Sequence, residues 1–387
     1  MRKILVITTS FPFPLYSGDK LRIYNIINHL AKKNKVDLIY TGSKENYKKK
    51  IKCINNTFFI RTEKIKRFFY MFYFFITGKP LQAGYFFSSK MKEKINAIQK
   101  NYDCIIFHLI RSTEFLPDNY KGTKILEMTD LVSSRYFQLY KNLSFLNPFK
   151  YLYFLEYILS KKYEKKIINF FNHIVLVSKE DKSKFSLKIE KKTKIKVITN
   201  GTDLKRKIYK FKRSNRDVIF IGNINYLPNK IACFNFIKET MPKLKRRGIN
   251  IKLKIIGQTS KILKFLLTRF NNVEVHNNIP SPEKLCKNAI CGISNLSIAA
   301  GIQNKILEYM RIGLPTIISQ KCFNSLDFKN NKDLIVYKNQ EEFVRQIFKL
   351  KTKKNFANKI SHNCHAKIVK NHSWKKSLKK YTSLLKK

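Results

Sequence analysis

The chain has 387 residues, 44% of them apolar, and a net charge of +54 at neutral pH. That length holds two domains with full cores, and the apolar share excludes a disordered chain. The charge alone points to nucleic acid or an anionic membrane. Lysine, however, vastly outnumbers arginine, and the excess runs along the whole chain instead of forming one stripe, which argues against nucleic-acid recognition.

Met1-Arg2-Lys3 leads straight into the strand pattern Lys3–Thr8, so no secretory leader is expected. The next connection, Thr9 to Lys20, holds two prolines and one glycine and is long for a strand-to-helix loop. Within it Gly18 permits close backbone approach, and Asp19, after Ser17, can cap the helix expected at Lys20–Lys33. Further strands are expected at Val36–Thr41, Asp103–His108, Lys124–Met128, His173–Val177 and Lys194–Ile198, with helices at Ser88–Asn101 and Lys150–Asn172. The aromatic run Phe68–Ile76, behind Lys64, Lys66 and Arg67, is too short to span a bilayer. It reads first as a buried helix and second as a basic-aromatic element on a membrane face.

Polar residues at the carboxyl ends of such strands face ligands. This singles out His108 with Arg111 just after it, and Glu127, Thr129 and Asp130 after the next strand. Asp130 suits a ligand hydroxyl, though Asp130 or Ser133 could equally cap a helix. The turn Asn200-Gly201-Thr202-Asp203 and the basic stretch behind it mark a boundary.

A second series follows, with strands at Val218–Ile221, Asn250–Ile256, Val273–His276, Gly292–Asn295, Thr316–Ser319 and Leu334–Val336. Helices are expected at Asn229–Lys245 and Pro282–Ala289 and over most of the chain from Glu341. Gly222, Asn223, Asn229 and Lys230 close the first of these strands and open a helix. The segment Gly301-Ile302-Gln303-Asn304-Lys305 reads as a turn entering a helix whose first amides attract phosphate. Glu308, one turn beyond Asn304, shares its face. This pattern suits a nucleoside diphosphate: amides for the phosphates, a carboxylate for the ribose. No Gly-x-Gly-x-x-Gly follows the first strand and no Walker-type loop is present. The seven cysteines are scattered and read as reduced thiols. His362 and His365 around Cys364 read as solvated surface, not a metal site.

The stretch Gly301–Glu308 resembles the donor loop of the family-4 retaining glycosyltransferases, closest to a bacterial polysaccharide-biosynthesis branch with Gly-Ile-Gln-Asn-Lys before the helix. Ser17-Gly18-Asp19-Lys20 and the Gly222–Lys230 segment are similar to the same branch. The resemblance implies an α/β protein of GT-B type: two facing Rossmann-like doubly wound domains with a C-terminal crossover helix. It implies an acceptor domain over residues 1–199, a linker over 200–217, a donor domain over 218–370, and a helix returning to the first domain over 371–387.

The implied activity is transfer of a sugar from a nucleotide-sugar to a glycan or lipid-linked acceptor, with retention, in cell-surface polysaccharide biosynthesis. Gly222, Asn223, Asn229, Lys230, Gly301, Ile302, Gln303, Asn304, Lys305 and Glu308 would bind the donor. His108 or Arg111 would contact the donor sugar, and Lys230 or Lys305 would neutralise the leaving diphosphate. Ser17, Gly18 and Asp19 would form a cleft loop touching the acceptor or the donor phosphates, and Asp130 would meet the acceptor. The family has an earlier Glu, separated from the helix Glu by seven residues, where this chain has Ala300, so Gln303 or Asn304 would take over sugar recognition. No metal and no cofactor are expected. A cytoplasmic location, peripheral on an anionic membrane, is expected, with no nucleic-acid partner. The rivals are a GT-B epimerase, marked by a catalytic acid/base pair, and a basic nucleic-acid-binding protein, marked by steep salt dependence.

Overall fold

The structure is a computed structural model and describes residues 1–15, 17–42, 51–186, 194–277, 279, 281–299 and 301–385. The chain divides into two compact units. The first comprises residues 1–15, 19–199 and 378–387; the second comprises residues 16–18 and 200–377. The stretch 200–217, expected as a linker, therefore belongs to the second unit, and the segment that returns to the first starts at Leu378.

The first unit runs β1 (Lys3–Thr8), α1 (Gly18–Leu30), β2 (Lys35–Gly42), β3 (Thr57–Arg61), α2 (Lys64–Ile76), α3 (Leu81–Phe86), α4 (Ser89–Ile98), β4 (Cys104–His108), β5 (Thr123–Thr129), α5 (Val132–Asn142), α6 (Phe149–Ile167), β6 (His173–Leu176), α7 (Lys179–Ser186) and β7 (Lys194–Val197). Its seven strands are parallel in the order β3-β2-β1-β4-β5-β6-β7. Strands covered on both faces read as continuous apolar runs, and Ile4–Ile7 and Cys104–Phe107 are fully buried. The strand β3 was not expected: its half-exposed Thr-Phe-Phe-Ile-Arg at the sheet edge carries no turn signal before α2.

The second unit runs β8 (Asp217–Ile221), α8 (Leu227–Asn235), α9 (Met241–Arg246), β9 (Lys252–Ile256), α10 (Lys261–Thr268), β10 (Val273–His276), β11 (Ala289–Ser294), α11 (Asn304–Arg311), β12 (Thr316–Ser319), α12 (Gln320–Phe323), β13 (Ile335–Tyr337), α13 (Gln340–Thr352), α14 (Lys354–Asn371) and α15 (Trp374–Thr382), whose last turns from Leu378 belong to the first unit. Its six strands are parallel in the order β10-β9-β8-β11-β12-β13. In each sheet the winding reverses beside the first strand, between β1 and β4 and between β8 and β11. Ligands of doubly wound sheets bind beyond the carboxyl ends at such a reversal. His108 ends β4, and Gly222 follows β8.

One expectation fails outright. The aromatic run does form a helix, but of α2 only Phe74 is buried, against Phe87 at 5.3 Å between ring centroids. Phe68, Phe69, Phe72 and Ile76 are each at least 60% exposed. The helix rests on α3, and its outer face is left to solvent. Among the described residues no helix is long and apolar enough to cross a membrane. All seven cysteines are unpaired, six of them buried. His362 is exposed as expected, but His365 is half-buried, its Nδ1 2.8 Å from the carbonyl oxygen of Arg311. Among the described residues no group of three or more His, Cys, Asp or Glu is arranged to hold a metal ion.

Candidate active site

In the second unit the site is built around the start of α11. Gly301 adopts φ +62°, a left-handed conformation that suits glycine, and turns the chain into the helix. Gln303 stands at the N-cap without a side-chain capping bond. Tyr309 anchors the helix from below: its ring is fully buried, its hydroxyl donates to the Ile293 carbonyl at 3.1 Å and accepts from the Ile221 amide at 2.7 Å. Gly292 makes room for that ring, since a methyl group there would sit 2.3 Å from it. The helix start is thereby tied to the ends of β8 and β11.

Lys305 points from α11 towards the end of β8. Its ammonium donates to Asn229 Oδ1 at 2.7 Å and lies 3.9 Å from the centroid of the Phe220 ring. A methyl group on Gly222 would stand 3.4 Å from Lys305 Nζ and 3.0 Å from Asn229 Nδ2. The missing side chain thus leaves backbone facing an ammonium and an amide. Gly222 is held there by Gly257, at φ +146°, whose Cβ, if present, would meet the Gly222 carbonyl oxygen at 2.0 Å. Asn229 Nδ2 also donates to the Asn223 carbonyl at 2.8 Å, and Asn223 Oδ1 accepts from the Asn225 amide.

Lys305 is 7% exposed, and among the described residues no carboxylate is within ion-pair distance of it. Burial lowers its pKa from 10.5 to about 8. A buried, unpaired cation is costly, and an anionic ligand is the natural compensation. Lys230 is exposed on α8, with no such enclosure.

Glu308 is pre-oriented. Arg311 Nε lies 2.7 Å from one of its oxygens, and the Thr202 hydroxyl donates to the other at 3.3 Å. Arg311 extends the network to Glu283, which also pairs with Lys205. Asn304 Oδ1 accepts from Asn200 Nδ2 at 2.6 Å. Asn200, Thr202, Tyr309 and Arg311 were missed from sequence. The first two were visible only as a turn signal, and nothing in the sequence tied them to a helix more than 100 residues away. Ile302 is buried. Ala300, at the position of the family's earlier Glu, lies outside the described residues.

In the first unit the carboxyl edge carries His108, Arg111, Asp19 and Asp130. His108 is 4% exposed, and among the described residues neither ring nitrogen has a hydrogen-bond partner. Burial holds its pKa far below the ordinary histidine value, with Arg111 and Arg22 adding to the effect against Asp19, so the ring is neutral. The next residue, Leu109, has φ +66° and ψ 151°, a region nearly reserved for glycine. Thr129, ending β5, has φ +70°. Backbone strain is therefore concentrated at the edge where His108 sits. Arg111 lies 3.7 Å from Asp19 and 4.2 Å from the Phe86 ring centroid. Asp19 falls inside the first turn of α1, and Ser17 and Gly18 group with the second unit.

Two corrections follow. Asp130 pairs with Arg135 at 3.2 Å, and neither Asp130 nor Ser133 caps α5; Glu164 does so, accepting from the Ser133 amide at 2.9 Å. Glu127 does not face the edge. It is fully buried within β5 and takes a two-pronged bond from Arg22, at 2.8 and 3.2 Å.

Residues 215–353 match the family model described as Glycosyl transferases group 1. A Klebsiella pneumoniae protein, an uncharacterized 44.6 kDa protein in a cps region, is 24% identical over 97% of this chain and 98% of its own length. Among solved structures, Anabaena HepE in complex with UDP-glucose aligns over 100% of this chain and 99% of its own, with 12% identity and a TM-score of 0.67. WaaG, a glycosyltransferase involved in lipopolysaccharide biosynthesis, aligns over 98% and 99%, with 12% identity and a TM-score of 0.67. The chain has the GT-B fold and carries a glycosyltransferase domain in its second unit.

Proposed function

We propose that this glycosyltransferase moves a sugar from a nucleoside-diphosphate donor to a hydroxyl of a glycan or lipid-linked acceptor, with retention of configuration, in cell-surface polysaccharide assembly. The observation that carries the reading is Lys305: a buried ammonium with no carboxylate partner among the described residues, aimed at the side-chain-free backbone of Gly222. The donor diphosphate supplies the missing counter-charge. The amides at the start of α11 take the remaining phosphate oxygens, and Glu308, held by Arg311 and Thr202, accepts from the ribose hydroxyls. Asn304 and Gln303 recognise the sugar.

In the transfer step the acceptor oxygen bonds to the anomeric carbon as the bond to the diphosphate oxygen breaks. The hydroxyl proton passes to the departing diphosphate on the same face. Charge develops on that leaving group, and Lys305 with the helix amides stabilises it where it forms, with no metal needed. His108, a neutral imidazole with two unmet nitrogens, hydrogen-bonds a sugar hydroxyl, with Arg111 and Asp19 beside it; Asp130 takes the acceptor. The cps-region relative and the lipopolysaccharide glycosyltransferase support the choice of pathway. The site of action is the cytoplasmic face of an anionic membrane.

Titration calorimetry with a panel of nucleotide-sugars, UDP-glucose included, tests this. At least one donor should bind, and Glu308→Gln should weaken it about 10- to 100-fold, the loss of charge-assisted bonds to the ribose. Unchanged affinity in that variant removes Glu308 from the ribose. His108→Ala should lower kcat about tenfold or more while leaving UDP affinity unchanged, because its contact is with the sugar. Equal losses for UDP and the intact donor would refute that role.

A further inference from the structure

We propose that a lysine-lined cavity at the foot of α2 seats the phosphate headgroup of an anionic phospholipid while the aromatic face of α2 enters the bilayer interface. The inference rests on the membrane-surface reading above and names the surface that serves it. The cavity has a volume of about 620 Å³. Five lysines line it: Lys79, Lys92, Lys124, Lys162 and Lys166. Among the described residues two carboxylates do so: Glu114 is paired with Lys79 at 2.7 Å and Asp118 with Lys92 at 3.7 Å. Among the described residues Lys124, Lys162 and Lys166 have no carboxylate at ion-pair distance. The cavity thus keeps three unmatched positive charges.

Its position separates it from the donor chemistry. Lys124 lies near the start of β5, and Pro117 to Tyr120 precede that strand. The cavity therefore opens at the amino end of the sheet, a strand length from the edge of His108 and Asp130. It also adjoins α2 directly, because Thr77 and Gly78, which follow Ile76, form part of its wall. Phe170, 50% exposed, lines it as well. An anion pocket alone would fit free phosphate. An anion pocket at the end of a helix exposing Phe68, Phe69, Phe72 and Ile76 fits a surface that is apolar beneath and anionic above. Aromatic side chains enter the acyl boundary, and each lysine near an anionic leaflet adds to attraction.

Flotation of the full chain with phosphatidylcholine vesicles, with and without roughly a third phosphatidylglycerol, tests the assignment. Lys124→Glu/Lys162→Glu/Lys166→Glu should lose about tenfold in partition to the anionic vesicles and keep its UDP-glucose affinity. Lys238→Glu/Lys245→Glu/Lys264→Glu, which changes the net charge equally at exposed positions of the second unit, should lose about twofold or less. Equal losses for the two triples overturn the cavity, leaving diffuse charge as the cause. Phe68→Ser/Phe72→Ser should lose binding to both vesicle types; normal binding by that variant overturns the membrane reading itself. Titration with inorganic phosphate and with glycerophosphoglycerol separates the sources. Tight phosphate binding without preference for phosphatidylglycerol vesicles overturns the lipid assignment.

Discussion

Replacing Lys305 by methionine is expected to lower kcat for sugar transfer by about two to three orders of magnitude, the usual effect of removing one preorganised group that meets developing charge. Methionine matches the length of the stem and removes only the ammonium. Because the wild-type charge is buried with no carboxylate partner among the described residues, the variant should be at least as stable at neutral pH, which separates lost chemistry from lost folding. The pH dependence carries the same signature. Burial lowers the Lys305 pKa from 10.5 to about 8, so the free enzyme loses this charge as pH rises through about 8. The value of kcat/KM, which reports free-enzyme ionisations, should fall on that limb. Stability moves the other way. Between about pH 8 and 10.5 the unfolded chain holds a proton that the folded chain has released, so this group's contribution to stability rises with pH. The methionine variant should lack both limbs. Steady-state kinetics and thermal melts across that range check it; an unchanged kcat would leave the diphosphate without its counter-charge.

Glu127→Ala should destabilise the first unit by about 3–5 kcal/mol, because it removes the carboxylate that meets the buried Arg22 guanidinium. Arg22 and Glu127 are both 0% exposed and form a two-pronged pair across 105 residues of sequence. The Tyr381 ring is buried beside the carboxylate, its ionisation suppressed by burial and then by Glu127, so the loss should also loosen the segment from Leu378. Replacing both partners together, Arg22→Met with Glu127→Leu, should recover most of the stability. Urea denaturation with a probe on each unit checks this, since two units need not unfold as one transition. A single variant as stable as the parent would show that water reaches the pair.

Much of the fold was legible in the sequence because parallel strands covered on both faces leave a direct mark. Lys3–Thr8, Val273–His276 and Thr316–Ser319 match the structure residue for residue. Short edge strands leave a weaker mark, and β3 went unseen. The start of α11 was legible because glycine, an amide-rich helix tip and a carboxylate one turn later are local in sequence. The partners that orient it were not: Asn200, Thr202 and Arg311 act through side-chain geometry that no spacing rule encodes. Glu127 shows the opposite error. Its place in the sequence suggested an exposed edge, but Arg22 draws it into the core.

By itself, the sequence determined the α/β alternation, the two series of strands and the phosphate-seeking helix tip, because these follow from hydrophobic period and backbone chemistry over a few residues. Only the tertiary structure decided that Lys305, not Lys230, faces Gly222, that Glu127 is an internal ion pair, and that the aromatic side of α2 is exposed. Burial and pairing depend on what the rest of the chain brings alongside, and a local pattern does not carry that information.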